Sequence, residues 1–496
     1  MGQATRNRIA LKVARQSVSG TVPAAALFNL LRYTDESLGA APQVTPSGEI
    51  VSDRNMSDPV LTGRTLSGGI NGELSARSYD PLLESAMFAS FTRTAEFIKG
   101  GGYAGLPEVT ALSAPAANIQ TATVASGGTF VKSKMLVQVS GFANATNNGV
   151  FLANADGGAT TVTWTNAAGV AEAAPPAGAR IKVIGAELPT TTQSGASNLN
   201  TATGVNFASF IPADGAWVWV GGDAANKKFA TNPGGWARVA KAGRGNASLT
   251  FDILPIGWAA DTNAAANSIR IYFGDFIANG VTPVLLAFER SFLDINNVHE
   301  LFSDGVMGAV SYDLSAKSIA KVSYSGLTFA TYALNVAEQK ATTSTLGLGN
   351  TPYNTLANIG MIVEGGSAIP LAGPNYVLAA KINLDNGLRE LPALATANGI
   401  IGVNPGKCNV TGSITAYLGD STLLAKVMGQ TPTNLAFPMR EPNTDHGTVL
   451  DLPAVKYTTG APAGDQDITV ELGFQAYKHA SLGYAFSQSI LEGIGL

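Results

Sequence analysis

The chain has 496 residues, 13% of them charged, and a formal net charge of −4. A charged share near half the roughly 25% of ordinary globular domains implies either a repeat-like protein or a surface largely covered by copies of itself. The acidic balance argues against sequence-independent DNA binding, which needs Lys and Arg against phosphates, and the single Cys408 excludes a disulfide or a cysteine metal cage.

The basic opening MGQATRNRIALKVARQ leads into no continuous apolar stretch, so a secretory signal is not expected. No run of about eighteen apolar residues occurs, which argues against a transmembrane helix. Ile9, Leu11 and Val13 alternate with small or basic residues as a first strand. Residues 43–69 read as a long polar loop. In GGINGELSARSYDPLLESAMF, residues 68–88, Leu74, Ala76 and Ser78 share one side of an extended segment. Glu73, Ser75, Arg77 and Tyr79 take the other side. Asp80 then reads as a helix N-cap with Pro81 at the first helical position, and Leu83 and Met87 follow at helical spacing.

From about 110 to 280 the texture is rich in Ala, Gly and Thr, with short strands and Asn-Asn-Gly and Asp-Gly-Gly turns. Residues 110–190 read as a small inserted β-sandwich, and 191–280 as a second β-rich piece carrying AWVWVGG, WARVAKA, ASLTFDIL and SIRIYFG. Trp217, Trp219 and Trp236 suit a module core better than a sugar-binding platform. With these pieces set aside, one lobe comprises 1–109 plus 281–345, and a second covers 346–496. DINNVHELFSD gathers Asp294, His299, Glu300 and Asp304 without helical ligand spacing, and reads as a solvated loop. EPNTDHG, with Asp445 and His446, reads as a polar turn.

SYDLSAKSIAKVSYSGLTF predicts a hairpin, with Tyr312 and Leu314 facing one way and Ser311, Asp313 and Ser315 the other. Val322 and Tyr324 oppose Lys321 and Ser323 on its second strand. YVLAAKINLDNG and DITVELGFQAYKH predict further strands. NVTGSITAYLGDSTLLAKVM, residues 409–428, repeats the pattern of 68–88 about 340 residues later: Gly72 meets Gly412, Ala76 meets Ala416, Asp80 meets Asp420 and Leu83 meets Leu423. The fold class is mainly β, with few short helices and an internal duplication. No nucleophile elbow, P-loop or dinucleotide fingerprint occurs, so no catalytic residue, metal site or cofactor is expected.

The order of these blocks resembles the tail tube proteins of long, flexible-tailed bacteriophages. ARQSVSGTVPAAALFNLLRYTDESLG is similar to the family's opening, a Gly-Thr-x-Pro turn (Gly20, Thr21, Pro23) before a Leu-Arg-x-Thr strand (Leu31, Arg32, Thr34). GEIVSDRNMSDPVLTGRTLSGGINGELSARSYDPLLESAM resembles its next block, and CNVTGSITAYLGDSTLLAKV through DQDITVELGFQAYKH its last. NATNNGVF is similar to small Ig-like modules that decorate phage tails. A Glu that the family leads one to expect before the Gly-Thr-Pro turn is absent, Gln16 and Ser17 standing there instead.

The resemblance implies duplicated tail-tube β-sandwich or barrel lobes plus an inserted Ig-like β-sandwich, in a virion protein made in the bacterial host cytoplasm. Its implied partners are itself, in stacked rings of three two-lobed chains with pseudo-sixfold symmetry or alternatively six chains, the tape measure protein inside, and the tail terminator and tail tip proteins. Phage DNA would cross the lumen without sequence-specific binding, and no membrane is engaged. The bore should then be neutral or acidic, with Glu73, Asp313 and Glu471 the candidate lumen-facing residues; Arg77 and Lys321 on similar faces count against a uniformly negative wall. Residues 43–69 are expected to reach the next ring. A receptor-binding adhesin of a phage tail is the alternative, and a glycan-cleaving enzyme or a capsid decoration protein stands behind it.

Overall fold

The structure, a computed structural model, describes every residue except 1–4, 6–7, 50–51, 53–54, 56–57, 101–105, 202–204, 296–297, 336–337, 339–349, 360, 370–375, 395–398 and 465. The boundary between the two lobes, at 345/346, therefore lies outside the described residues. The chain is mainly β, in antiparallel sheets with few and short helices.

The largest sheet holds fourteen strands. Its main run uses β1 (Asp35–Glu36), β2 (Gly39–Pro46), β3 (Pro59–Glu73), β4 (Ala309–Ser315), β5 (Lys321–Thr328), β6 (Val377–Asp385), β7 (Asn409–Tyr417), β8 (His446–Ala463) and β9 (Thr469–Ala476). Helix α1 (Asp80–Met87) follows β3, and α2 (Thr422–Met428) follows β7. Strands neighbour one another in the order β1/β2, β3, β5, β4, β6, β7, β9, β8. This is one four-strand pattern laid twice side by side: an arm-bearing strand, the strand before the helix, then a hairpin entered from its far strand. The β4–β6 ladder, Tyr312 opposite Ile382, joins the two patterns within one chain.

Of the stretch 43–69, read as a loop, residues 43–46 and 59–69 lie in strands. β2 and β3 form a long hairpin arm, paired from Gly39–Ser67 out to Pro46–Pro59, with Val44, Val60 and Leu61 exposed along it. Pro and polar residues read as loop, but alternate positions still complete a backbone ladder that buries little. The second pattern puts out a matching arm between β6 and β7, where Arg389–Pro392 pairs with Ile400–Asn404.

The predicted hairpin and later strands form with the predicted faces. Tyr312, Leu314, Val322 and Tyr324 are buried, as are Ile382, Leu384, Val470, Leu472 and Phe474. They share one core with Leu11 and Val13, from a five-stranded sheet built on the strands Ile9–Gln16 and Leu285–Phe292. Gln16 lies in that sheet, where its amide donates to Asp304 Oδ1 (2.9 Å) and its carbonyl accepts from the Asp304 N–H (2.9 Å). A Glu there would set two carboxylates together, which explains the amide. The second half of DINNVHELFSD, from His299, lies in a strand of this sheet, His299–Gly305, rather than in a solvated loop: neighbours on both sides satisfy its backbone.

Strands from the 110–190 and 191–280 segments share one ten-stranded sheet and one core, from Phe97 to Phe276. Glu96–Ile98 pairs with Arg180–Lys182, so a strand outside residues 110–280 enters this sheet. Beside that contact lies a buried ionic network. Arg77 binds Glu96 and Glu492 (both 2.9 Å); Arg180 binds the same two carboxylates (both 2.6 Å). Lys182, 1% exposed, reaches Asp275 at 2.8 Å, Glu492 at 3.3 Å and Glu96 at 3.4 Å, while Arg93 joins Asp80 to Asp275. Four cations face four anions, so none is left without counter-charge, as burial demands.

Burial pushes the carboxyls of Asp80 and Asp451 up to about 6, against the opposing pull of Arg93 and of Arg238. At Glu96, Asp275 and Glu492 burial also pushes upward, but the cations outweigh it, Arg180 foremost for the glutamates and Lys182 for Asp275, and hold all three low. A raised carboxyl contributes stability that is complete below its unfolded value, near 3.8, and lost as pH rises through about 6. The three lowered groups contribute above their unfolded values and lose it as pH falls. Thermal midpoints are therefore expected to peak between about pH 4 and 5, and Asp80→Asn to shrink the decline on the alkaline side; an unchanged alkaline slope in melts across pH contradicts this account. Lys182→Met keeps the stem but leaves three carboxylates short of a cation, and should cost about 3–5 kcal/mol in urea unfolding.

Candidate functional site: the uncovered face of the long sheet

One face of the β3-to-β8 run is core and the other is open. Successive registers place Gly72, Val322, Tyr312, Ile382, Gly412, Phe474 and Tyr457 in a single row on the core side. The adjacent row, on the open side, reads Glu73, Lys321, Asp313, Lys381, Ser413, Gly473 and Thr459. On the far side of the core row lies Asp35, Asn71, Ser323, Ser311, Asn383, Thr411, Gln475 and Lys456, wholly polar from edge to edge. No residue of either open row is buried.

Glu73, Asp313 and Glu471 thus share this face, but they are not a cluster. Asp313 stands directly between Lys321 and Lys381, and Glu73 stands across from Lys321, so charge alternates along the row. Glu471 lies two positions farther along its strand, opposite Thr415 and Ala461. Ser323 Oγ donates to Asn71 Oδ1 (2.5 Å) and Gln475 Nε2 to Asn409 Oδ1 (3.0 Å), so neighbouring side chains satisfy one another across strands. Arg77 does not belong to the face. β3 ends at Glu73, the chain turns through a left-handed Arg77 (φ 62°), and the guanidinium goes into the ionic network.

The repeated motif falls at matching places in the sheet and diverges after it. Gly72 and Gly412 occupy the same core row, each beneath an aromatic ring. A Cβ on Gly72 would meet Tyr79 Oη at 2.0 Å, and one on Gly412 would meet Lys381 O at 2.1 Å and Phe474 Cζ at 2.4 Å. Ala76, Ala416, Leu83 and Leu423 are all buried. Ala416 is still in a strand, whereas Ala76 is already in the turn that follows β3. Asp80 is not the N-cap: it is the first helical residue, Tyr79 takes the cap position, and the carboxylate is drawn to Arg93. Asp420 stays exposed and accepts from the Thr422 N–H (2.9 Å), one residue before the cap.

Among the described residues no group of His, Cys, Asp and Glu could hold a metal ion. His299 Nδ1 meets Ser291 Oγ at 3.0 Å, and His446 begins β8 after the predicted turn. Cys408 is half-buried, and burial raises its thiol above the ordinary value. Trp217 and Trp236 are core residues, but Trp219 is only partly covered. The face carries no paired nucleophile and base; its properties are polarity, near-balanced charge and length.

A family model described as phage tail tube protein matches residues 6–216 and again 200–476. No curated protein matches the chain.

The alternating row tests itself through stability. Asp313→Lys sets three ammonium groups side by side in adjacent strands, and like charges directly opposed cost roughly 0.2–1 kcal/mol per pair. The denaturation midpoint should fall, and much of the loss should return in concentrated salt, which screens exposed charges. A salt-independent loss would mean that Asp313 acts through packing.

Proposed function

The chain belongs to the phage tail tube protein family, and we propose that it polymerises as stacked rings into the hollow tail of a long, flexible-tailed phage, through which DNA is ejected into the host. The observation that carries this reading is the pair of unlike edges that end the two-pattern run. β8 pairs with β9 through Ala463, yet among the described residues no strand flanks it beyond Val455 on the other side. Among the described residues, β1 likewise forms a strand ladder with β3 and with no second strand. A sheet with two such edges extends by adding copies, and closes only as a ring.

The β4–β6 ladder inside the chain is the template for the joint between chains. Tyr457 of β8 occupies the row position that Tyr312 holds in β4, and Thr34 precedes β1 where Ile382 sits in β6. The inter-chain register therefore sets Tyr457 opposite Thr34, and one row along sets Lys456 opposite Asp35 of the next copy. Opposite charges across strands favour that register by roughly 0.2–1 kcal/mol. Three chains supply six patterns and a pseudo-sixfold ring; six chains are the alternative. The two arms, with Val44, Val60, Leu61 and Ile401 exposed, supply contacts to the next ring.

The open face then lines the bore. Asp35, Glu73, Asp313, Asp385 and Glu471 outnumber Lys321, Lys381 and Lys456, so the wall is polar and mildly acidic and offers phosphates no basic track. The tape measure protein fills the tube before ejection, the tail terminator and tail tip proteins close its ends, and the inserted segment, an Ig-like module in this reading, projects outward. The protein is made in the host cytoplasm and ends in the virion.

Electron microscopy of the concentrated protein should reveal striated hollow tubes. With Cys408 replaced by Ser, the pair Lys456→Cys and Asp35→Cys should cross-link neighbouring chains in those tubes on oxidation. The covalent ladder should stop at three chains for the pseudo-sixfold ring, or at six for the alternative. Glu36→Cys in place of Asp35→Cys should not link, because that side chain faces the other way. Compact particles that never polymerise but adhere to host cells would replace this reading with the adhesin.

A further inference from the structure

Apart from the sheet's open face, the structure holds a second place equipped to bind something. Where the strand Trp217–Val220 meets the turn after Thr433–Glu441, a cavity of about 590 Å³ opens to solvent, within the roughly 300–1,000 Å³ usual for small-molecule sites. Trp219 and Trp236 stand edge to face at its wall, ring centroids 5.4 Å apart. Met361 and Ile256 complete an apolar lining.

The polar lining is unusual for a packing defect. Asn358, 2% exposed, accepts the Asn354 N–H through Oδ1 at 2.6 Å, but its buried Nδ2 has no partner among the described residues. The Arg440 guanidinium lies over the Trp219 ring, 5.0 Å from the centroid; its Nη2 donates to Ile494 O at 2.7 Å while its buried Nε has no partner among the described residues. Asp223 and Asp445, each 3.4 Å from Arg440, add acceptors. Two unmet buried donors cost free energy unless something accepts from them.

We infer that this cavity is a binding site for a neutral pyranose sugar, the end or a branch of a surface glycan. Indole faces attract the weakly positive C–H edges of a sugar ring. Its hydroxyls both donate and accept, which matches acceptors at Asp223 and Asp445 and donors at Asn358 and Arg440. A phosphate or carboxylate ligand would meet two aspartates, and a purely apolar ligand would leave the donors unmet. The inference does not depend on the tube reading: no residue that lines the cavity belongs to the two rows of the open face.

Saturation-transfer NMR and tryptophan fluorescence on the full chain, with glucose, galactose, N-acetylglucosamine and rhamnose at millimolar concentrations, test it. At least one sugar should bind, and Trp219→Ala and Asp223→Asn should each weaken it about tenfold or more, about 1.4 kcal/mol. Asp223 is largely exposed, so its substitution leaves folding intact should Trp219→Ala not. Phe130→Ala, an exposed aromatic elsewhere, should change nothing. No transfer from any of the four sugars overturns the site, as does binding that survives both cavity substitutions. Failure of Trp219→Ala to polymerise without any sugar binding by the parent chain would make the cavity a contact between copies, and would also overturn it.

Discussion

Everything in the long sheet depends on one-sided burial of a continuous backbone ladder. A strand has two faces and a period of two, so a slip of one residue in any pairing would send Tyr312, Ile382 and Phe474 into water and Lys321 and Asp313 into the core. Because every strand from β3 to β8 is bound by that condition, register carries across both patterns along the core row, with bulges beside it at Tyr324/Leu327, Val377/Ala379 and Tyr457/Thr459, and positions far apart in sequence fall into common rows. The two glycines show how tight the constraint is. Gly72 and Gly412 leave room in one row for the rings of Tyr79 and Phe474, and in the second case for a neighbouring carbonyl that has nowhere to move.

The buried charges solve a different problem. The insertion must hold a fixed position against the rest of the chain, and apolar contact by itself is indifferent to small rotations. Leu136, Ile184 and Trp217 do pack against Val449 and Leu491. The directional part comes from Arg77, Arg180 and Lys182 sharing Glu96 and Glu492, with Arg93 and Lys182 sharing Asp275. Each cation has more than one carboxylate, so the arrangement is a lattice rather than a set of pairs, and it holds only in one geometry.

Alternation made the sheet legible in advance. The hairpin around Lys317 and the strands through Ile382 and Phe474 could be read because apolar and polar residues strictly alternate where one face is wet. The same signal failed where its cause was missing. The arm made by β2 and β3 buries little on either side, so its sequence looks like loop. Leu74 to Tyr79 alternate, yet β3 ends at Glu73 and Arg77 turns its charge to partners off the sheet. His299–Gly305 reads as solvated because its polar residues are held by neighbouring strands, Glu300 by Arg290 and Tyr332 and Asp304 by Gln16. Burial of Lys12, Lys182 and Glu492 carries no local mark, since counter-ions arrive from remote strands. Among the face candidates, sequence placed Glu73, Asp313 and Glu471 on polar strand faces, but not the lysines' intercalation between them, which is a matter of register. Trp219 was grouped with two core tryptophans because all three sit in β-rich runs; only the tertiary arrangement separates it.

The shared lattice also bears on how such chains diversify. The segment from 110 to 280 reads as interchangeable cargo, a piece for recombination to trade for another. Yet Arg180, Lys182 and Asp275 lie on it, while Arg77, Arg93, Glu96 and Glu492 do not. A replacement without two cations at those places would leave Arg77 to balance both Glu96 and Glu492 in a dry interior. Exchange at this site is therefore governed by inheritance of a small set of charges, and segments that travel successfully between such proteins must carry their share of the lattice with them.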